Sequence, residues 1–275
     1  MASAMEMVCN TLGIDRVNMN SKIILIEEQH GTNANFLVNA ILSQALKQMK
    51  AVCLILCHNT FGHYHNIGMR LGYNLLALKE KGQVTVVEPM TTIVANIANM
   101  YEDCVIREKM IIPDAICTEN IDIAHRLFTC VQEKYNEAAK FNESVVLIFD
   151  DINHLLDLGL SVHNVMYFVR YLRSFVSLYH PTSQLCFFTH TYQDGSQISN
   201  ANVVANALKH MAHLCATTQP FRTGQSSDAS GELTIQWRID SIRSKYHWPE
   251  KTTHLFKSLD WQVKIGAPGT ASVLS

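Results

Sequence analysis

Two adjacent carboxylates, Asp150 and Asp151, close the apolar run Val145–Phe149. An acid at the end of a buried strand is where many α/β proteins hold the cation that bridges nucleotide phosphates. A hard ion such as Mg²⁺ needs oxygen ligands on a rigid support. The same placement has a plainer use, because Asp also caps a following helix, here the stretch Ile152–Leu156. A phosphate cradle would decide between the two. Its usual form, G-x-x-x-x-G-K-[ST], points backbone N–H groups at the phosphates and adds a lysine and a hydroxyl. The corresponding turn reads Glu27-Glu28-Gln29-His30-Gly31-Thr32-Asn33-Ala34-Asn35-Phe36. It has one glycine, no lysine or arginine, and two acids at its mouth. Like charges repel, so Glu27 and Glu28 oppose a triphosphate. Glu28, Gly31, Thr32, Asp150 and Asp151 therefore read as a degenerate nucleotide site, with no cofactor and no catalytic residue expected.

Other reactive types are scattered. His63 and His65 resemble a metal pair, but no nearby acid or cysteine completes a set, and His210 and His213 are equally isolated. No metal site is expected. Gly159-Leu160-Ser161-Val162-His163 lacks the final glycine of a nucleophile elbow. Tyr192 is a candidate for stacking on a base. Arg222, Arg238, Arg243 and Lys245 form a loose basic group that is a candidate for RNA contact, although solvated charge is the plainer reading. Cysteines at 9, 53, 57, 104, 117, 130, 186 and 215 form no C-x-x-C; Cys53, Cys57 and Cys186 sit in apolar runs, as reduced thiols do.

The elements that must position these residues alternate. Ser21–Glu27, Ala51–Cys57, Gln83–Glu88, Val145–Phe149, Gln184–Thr189 and His213–Thr218 read as strands. Several are apolar without alternation, which suits a parallel sheet covered on both faces. Between them, 36–49, 64–80, 91–100, 121–140, 162–179 and 198–211 read as helices, the first with Asn33 as its cap. The order predicts a mostly parallel sheet with right-handed crossovers. After Pro220 a polar turn, 223–231, leads to Leu233–Ile239 and Trp261–Ile265, which alternate as antiparallel edge strands do. The expected organisation is an N-terminal segment 1–20, one domain over 21–265 and a disordered tail 266–275.

The chain has 275 residues, 48% hydrophobic, enough for one large core. Charged residues make up 17%, below the roughly 25% of soluble domains, which suggests a surface covered by partners. A net charge of −2 carries no signature of a nucleic-acid binder acting alone. No secretory signal or membrane span is visible, so a soluble, intracellular protein is expected.

The strand order, the Leu-Gly at 71–72 and the late acid-tipped strand resemble RecA-like domains over most of residues 20–220. His58 stands where RecA-like enzymes place an activating Glu. More specifically, H-Y-H-N-I-G-M-R-L-G-Y-N-L at 63–75, K-G-Q-V at 81–84, V-L-I-F-D-D-I-N-H-L-L-D-L-G at 146–159 and I-Q-W-R at 235–238 resemble the Elongator complex protein 6 family. That resemblance implies a RecA-like fold without working nucleotide motifs. It also implies a six-membered ring with Elongator subunits 4 and 5 that binds tRNA and supports wobble-uridine modification by a separate catalytic subunit, in the cytoplasm and nucleus. In RecA-like rings the loops at 158–162 and 192–202 face the central channel. The alternative is a divergent NTPase with an unorthodox phosphate loop.

Overall fold

The computed structural model describes residues 4–90, 120–192, 199–221, 229–259 and 262–268. Nine strands build one sheet: β1 (Ile23–Gln29), β2 (Ala51–Leu56), β3 (Val84–Val87), β4 (Val145–Asp150), β5 (Gln184–Thr191), β6 (Leu214–Gln219), β7 (Gly231–Trp237), β8 (Lys251–Ser258) and β9 (Val263–Gly266). Their order is β3-β2-β4-β5-β1-β6-β7-β8-β9. β1 to β6 pair in parallel, and β7, β8 and β9 extend that sheet antiparallel at one edge. The fold class expected from the sequence is the one observed.

The unbroken apolar runs follow from this layering. Ile24, Ile26, Val52, Leu54, Val146, Ile148, Cys186 and Phe188 face one core, while Ile23, Leu25, Cys53, Val145, Leu147, Phe149, Leu185 and Phe187 face the other. Alternate residues point to opposite faces, so a strand covered on both sides must be apolar throughout. The first face carries α1 (Ala4–Leu12), α2 (Asn35–Lys47), α3 (Phe61–Leu71) and α4 (Leu75–Glu80). The second carries α5 (Asn120–Ala139), α7 (Val162–Tyr179) and α8 (Asn200–Met211). Short α6 (His154–Asp157) follows β4, and α9 (Asp240–Tyr246) follows β7. Each fully buried aliphatic or phenyl side chain here contributes about 1.5–3 kcal/mol of hydrophobic stabilisation.

Several expectations need adjustment. The helix expected over 64–80 is two helices, because Gly72 at φ +90° closes α3 and Asn74 caps α4 by accepting from Ala77 N–H. α2 is not capped by Asn33; its side chain accepts from Asn35 N–H instead, and the position before the helix is Ala34. α1, α9 and β8 had no counterpart in the sequence reading. α1 packs Met5, Val8 and Leu12 into the first core, and its end accepts a hydrogen bond from Trp237 Nε1 to Leu12 O at 3.0 Å. β8 escaped notice because Lys251-Thr252-Thr253-His254 has little apolar alternation. The helix expected at 91–100, the turn at 223–228 and the tail beyond residue 268 lie outside the described residues. Cys9, Cys53, Cys57, Cys130, Cys186 and Cys215 are free thiols, and burial pushes Cys53 up to about 12. Among the described residues no helix is long and apolar enough to cross a membrane.

Candidate functional site at the carboxyl edge of the sheet

α2 leaves β1 on one face of the sheet and α7 follows β4 on the other. β5 lies between β1 and β4. Of the residues expected to form a degenerate nucleotide site, Glu28 and Asp151 are joined through His190, while Thr32 and Asp150 bond to other partners.

The turn after β1 is closed by its own acid. Glu28 Oε2 accepts from Ala34 N–H at 2.6 Å, at the start of α2. N–H groups at a helix start are the donors that a phosphate would use. Here an internal carboxylate takes one of them. Gly31, at φ +95°, makes the left-handed bend that lets the chain reach α2. The Thr32 hydroxyl donates to Gln29 O at 2.8 Å and pairs with Thr218 Oγ1 at 2.9 Å. The two acids expected at the mouth do not act together. Glu27 points to the other face, where Lys209 Nζ and the Thr217 hydroxyl bind its carboxylate at 2.8 and 2.9 Å. Only Glu28 faces the turn.

β4 presents the two aspartates differently. Asp150 is fully buried, and its Oδ2 accepts from Asn59 N–H and Asn59 Nδ2 at 3.0 and 3.1 Å. Burial pushes its carboxyl above the usual range, against the lowering effect of the Asn59 bonds. Asp151 has φ +42°, a left-handed conformation that Asp tolerates better than most residues. Its Oδ1 accepts from Asn153 N–H at 3.0 Å, which closes the turn before α6; the position before that helix is Asn153, and no side chain caps it. Its Oδ2 binds His190 Nδ1.

His190 is the centre of the arrangement and was absent from the sequence reading. It is the register partner of Glu28 across β1 and β5. Its Nδ1 meets Asp151 and its Nε2 meets Glu28 Oε1 at 3.0 Å. Burial alone would lower its pKa; hydrogen bonds to Asp151 and Glu28, then their charges, outweigh burial and raise it to about 10. A ring nitrogen facing a carboxylate on each side is a cation at neutral pH. His190 thus sets its positive charge between two protein carboxylates.

The RNA candidates are not brought together. Tyr192 follows β5 at the carboxyl edge, half exposed, with its ring 5.8 Å from that of His30. Arg238 follows β7, whose end pairs with the start of β6, so it lies at the amino edge. Strands of this length put the two edges about 20 Å apart. Arg238 donates to Lys209 O, Arg243 is paired with Asp240 and lies 3.9 Å from Glu250, and Lys245 lies over the Tyr246 ring at 5.2 Å. Arg222 lies outside the described residues. His63 and His65, two residues apart on α3, contact Tyr64 and Phe61 respectively and share no ligand position. His213 Nδ1 accepts from Ile23 N–H at 2.9 Å and anchors the start of β1.

Together these features define a RecA-like α/β protein in which an internal carboxylate, Glu28, accepts from the N–H at the start of α2. Residues 8–259 match the model of the family described as Elongation complex protein 6, and the chain belongs to that family. Among curated proteins it is 28% identical over 259 residues to Elongator complex protein 6 of Homo sapiens, covering 93% of each chain. It is 27% identical to that of Rattus norvegicus over 91% of this chain and 89% of the relative. With the Drosophila melanogaster protein the identity is 23% over 90% and 91%.

Proposed function

We propose that the chain is a non-catalytic RecA-like subunit of a six-membered ring formed with Elongator subunits 4 and 5. The ring holds tRNA and supports wobble-uridine modification carried out by another subunit of the complex, in cytoplasm and nucleus. One observation carries the non-catalytic part. The Glu28 carboxylate sits on the α2 N–H group that a phosphate would need, held there by His190. A triphosphate approaching this turn meets a fixed negative charge and no free cation in residues 27–36. The low charge fraction of 17% and the exposed Tyr167, Tyr171, Leu178 and Tyr179 of α7 support a surface covered by neighbours.

Equilibrium binding of a fluorescent ATP analogue with Mg²⁺ tests this directly. No binding is expected for the purified chain. Mg²⁺-dependent binding that disappears in Asp150→Ala would establish the divergent NTPase instead. Co-expression with subunits 4 and 5 should give a six-chain assembly by native mass spectrometry that retains tRNA. Charge reversal at Arg222, Arg238 and Arg243 in that assembly reads out whether this subunit touches tRNA itself: unchanged affinity means contact through neighbours.

A further inference from the structure

Beside the Glu28, His190 and Asp151 set, a second cluster faces solvent. His58, after β2, places Nδ1 2.8 Å from Nε2 of His154 on α6, and the two rings stack with centroids 4.9 Å apart. Asp151 Oδ2 lies 3.6 Å from the same His154 Nε2. All three ligand atoms lie within 4.8 Å of one another. On the far side of the His154 ring, Asp157 Oδ2 accepts from Nδ1 at 2.7 Å.

We propose that His58, Asp151 and His154 form a binding site for a divalent transition ion, zinc foremost. This departs from the expectation that the chain has no metal site, and it is independent of the ring assembly proposed above. Three features of the geometry carry it. The first is the donor set: two imidazoles and one carboxylate suit zinc and exclude a Mg²⁺-type site, which would require oxygens. The second is the tautomer. Asp157 Oδ2, 2.7 Å from Nδ1, fixes the ring so that Nε2 is turned to His58 and Asp151, and the tautomer with its proton on Nδ1 offers Nε2 to an ion. A carboxylate that orients a histidine from behind in this way is the usual outer support of a zinc ligand. The third is access: His58 is exposed, so an ion can reach the three ligand atoms from solvent.

Tetrahedral zinc with bonds of about 2.0–2.1 Å holds its ligand atoms about 3.4 Å apart. The cluster therefore needs only small adjustments, and exposed His58 is free to make them. His58 Nδ1 and His154 Nε2 lie within hydrogen-bond distance of one another. On binding, His58 carries its proton on Nε2 and offers Nδ1 to the ion. Asp151 Oδ2 keeps its hydrogen bond from His190 through one lone pair and offers the other. The fourth position is left to water or to a partner's side chain.

The test is a zinc titration of the untagged full chain against a chromophoric chelator. Cobalt(II) absorption reports the coordination geometry, and circular dichroism confirms that each variant is folded. One zinc per chain is expected, with a visible tetrahedral cobalt spectrum. His58→Ala should weaken zinc at least tenfold while leaving the fold intact, because His58 is exposed. His154→Ala should do the same, and Asp157→Asn should weaken it roughly tenfold as an outer support does. His63→Ala with His65→Ala should change nothing. Failure of the wild-type chain to bind zinc, or equal affinity in His58→Ala, overturns the proposal. So does loss of binding in the His63/His65 variant.

Discussion

The two edges of the parallel sheet use buried polar groups in opposite ways. At the amino edge the groups are neutral and local in purpose. Tyr135 OH donates to Ser183 Oγ at 2.6 Å, and His213 Nδ1 accepts from the start of β1. They stitch strand ends together. At the carboxyl edge the groups are ionised and linked: Ala34 N–H to Glu28, Glu28 to His190, His190 to Asp151. The difference teaches that the carboxyl edge gathers acids and a histidine whose charges are satisfied inside the protein. Neutral stitching tolerates loss of one partner; a linked ionic set does not, because removal leaves a buried charge uncompensated.

The largest effect should come from breaking that set at its centre. Glu28→Ala leaves His190 Nε2 and Ala34 N–H without a partner, while His190 Nδ1 keeps Asp151, and should lower unfolding free energy by about 3 kcal/mol in urea titration. It should not create ATP binding, since no cation is gained. Next, Asp150→Ala removes a fully buried acceptor from Asn59 and should lower stability by about 2 kcal/mol, whereas Asp150→Asn should lower it by about 1 kcal/mol. Tyr135→Phe at the other edge should also cost about 1 kcal/mol. Equal losses for Glu28→Ala and Tyr135→Phe would erase the contrast.

The pH response sharpens it further. Burial first, then Lys22 and Arg173, lower the His213 pKa below its ordinary 6.5. The folded state therefore binds fewer protons than the unfolded state just below pH 6.5, and stability falls as pH drops through that value. Protonation also breaks the bond from Ile23 N–H. His213→Asn keeps an acceptor that does not titrate, so its melting temperature should decline less than that of the wild type between pH 7 and pH 5. The smallest effect is expected at the surface: Arg243→Ala should change stability by less than about 0.5 kcal/mol, because its partners Asp240 and Glu250 are exposed.

Much of the architecture was legible because the strands are apolar on both sides. Val145–Phe149 and Ala51–Leu56 admit few other readings. The helix 162–179 is legible to the residue, with Pro181 marking its end, and the structure adds Ser161 as its cap. The late elements were less legible. β8 is polar on most positions, and it is a strand only because β7 and β9 pair with it. In the site, the missing cation of the turn was readable residue by residue. His154 and Asp157 carried a faint signal, three residues apart on a short helix, but nothing in the sequence points from them to His58, 96 residues away.

By itself, then, the sequence determined the layered sheet and a turn at 27–36 without lysine or arginine, because both follow from local residue types. Only the tertiary structure decided what that turn's acid binds. β5 must lie between β1 and β4 before His190 can reach Glu28, 162 residues distant, and Asp151, 39 distant. Strand order is a property of the whole packed chain, and it turns three unremarkable residues into one ionic unit.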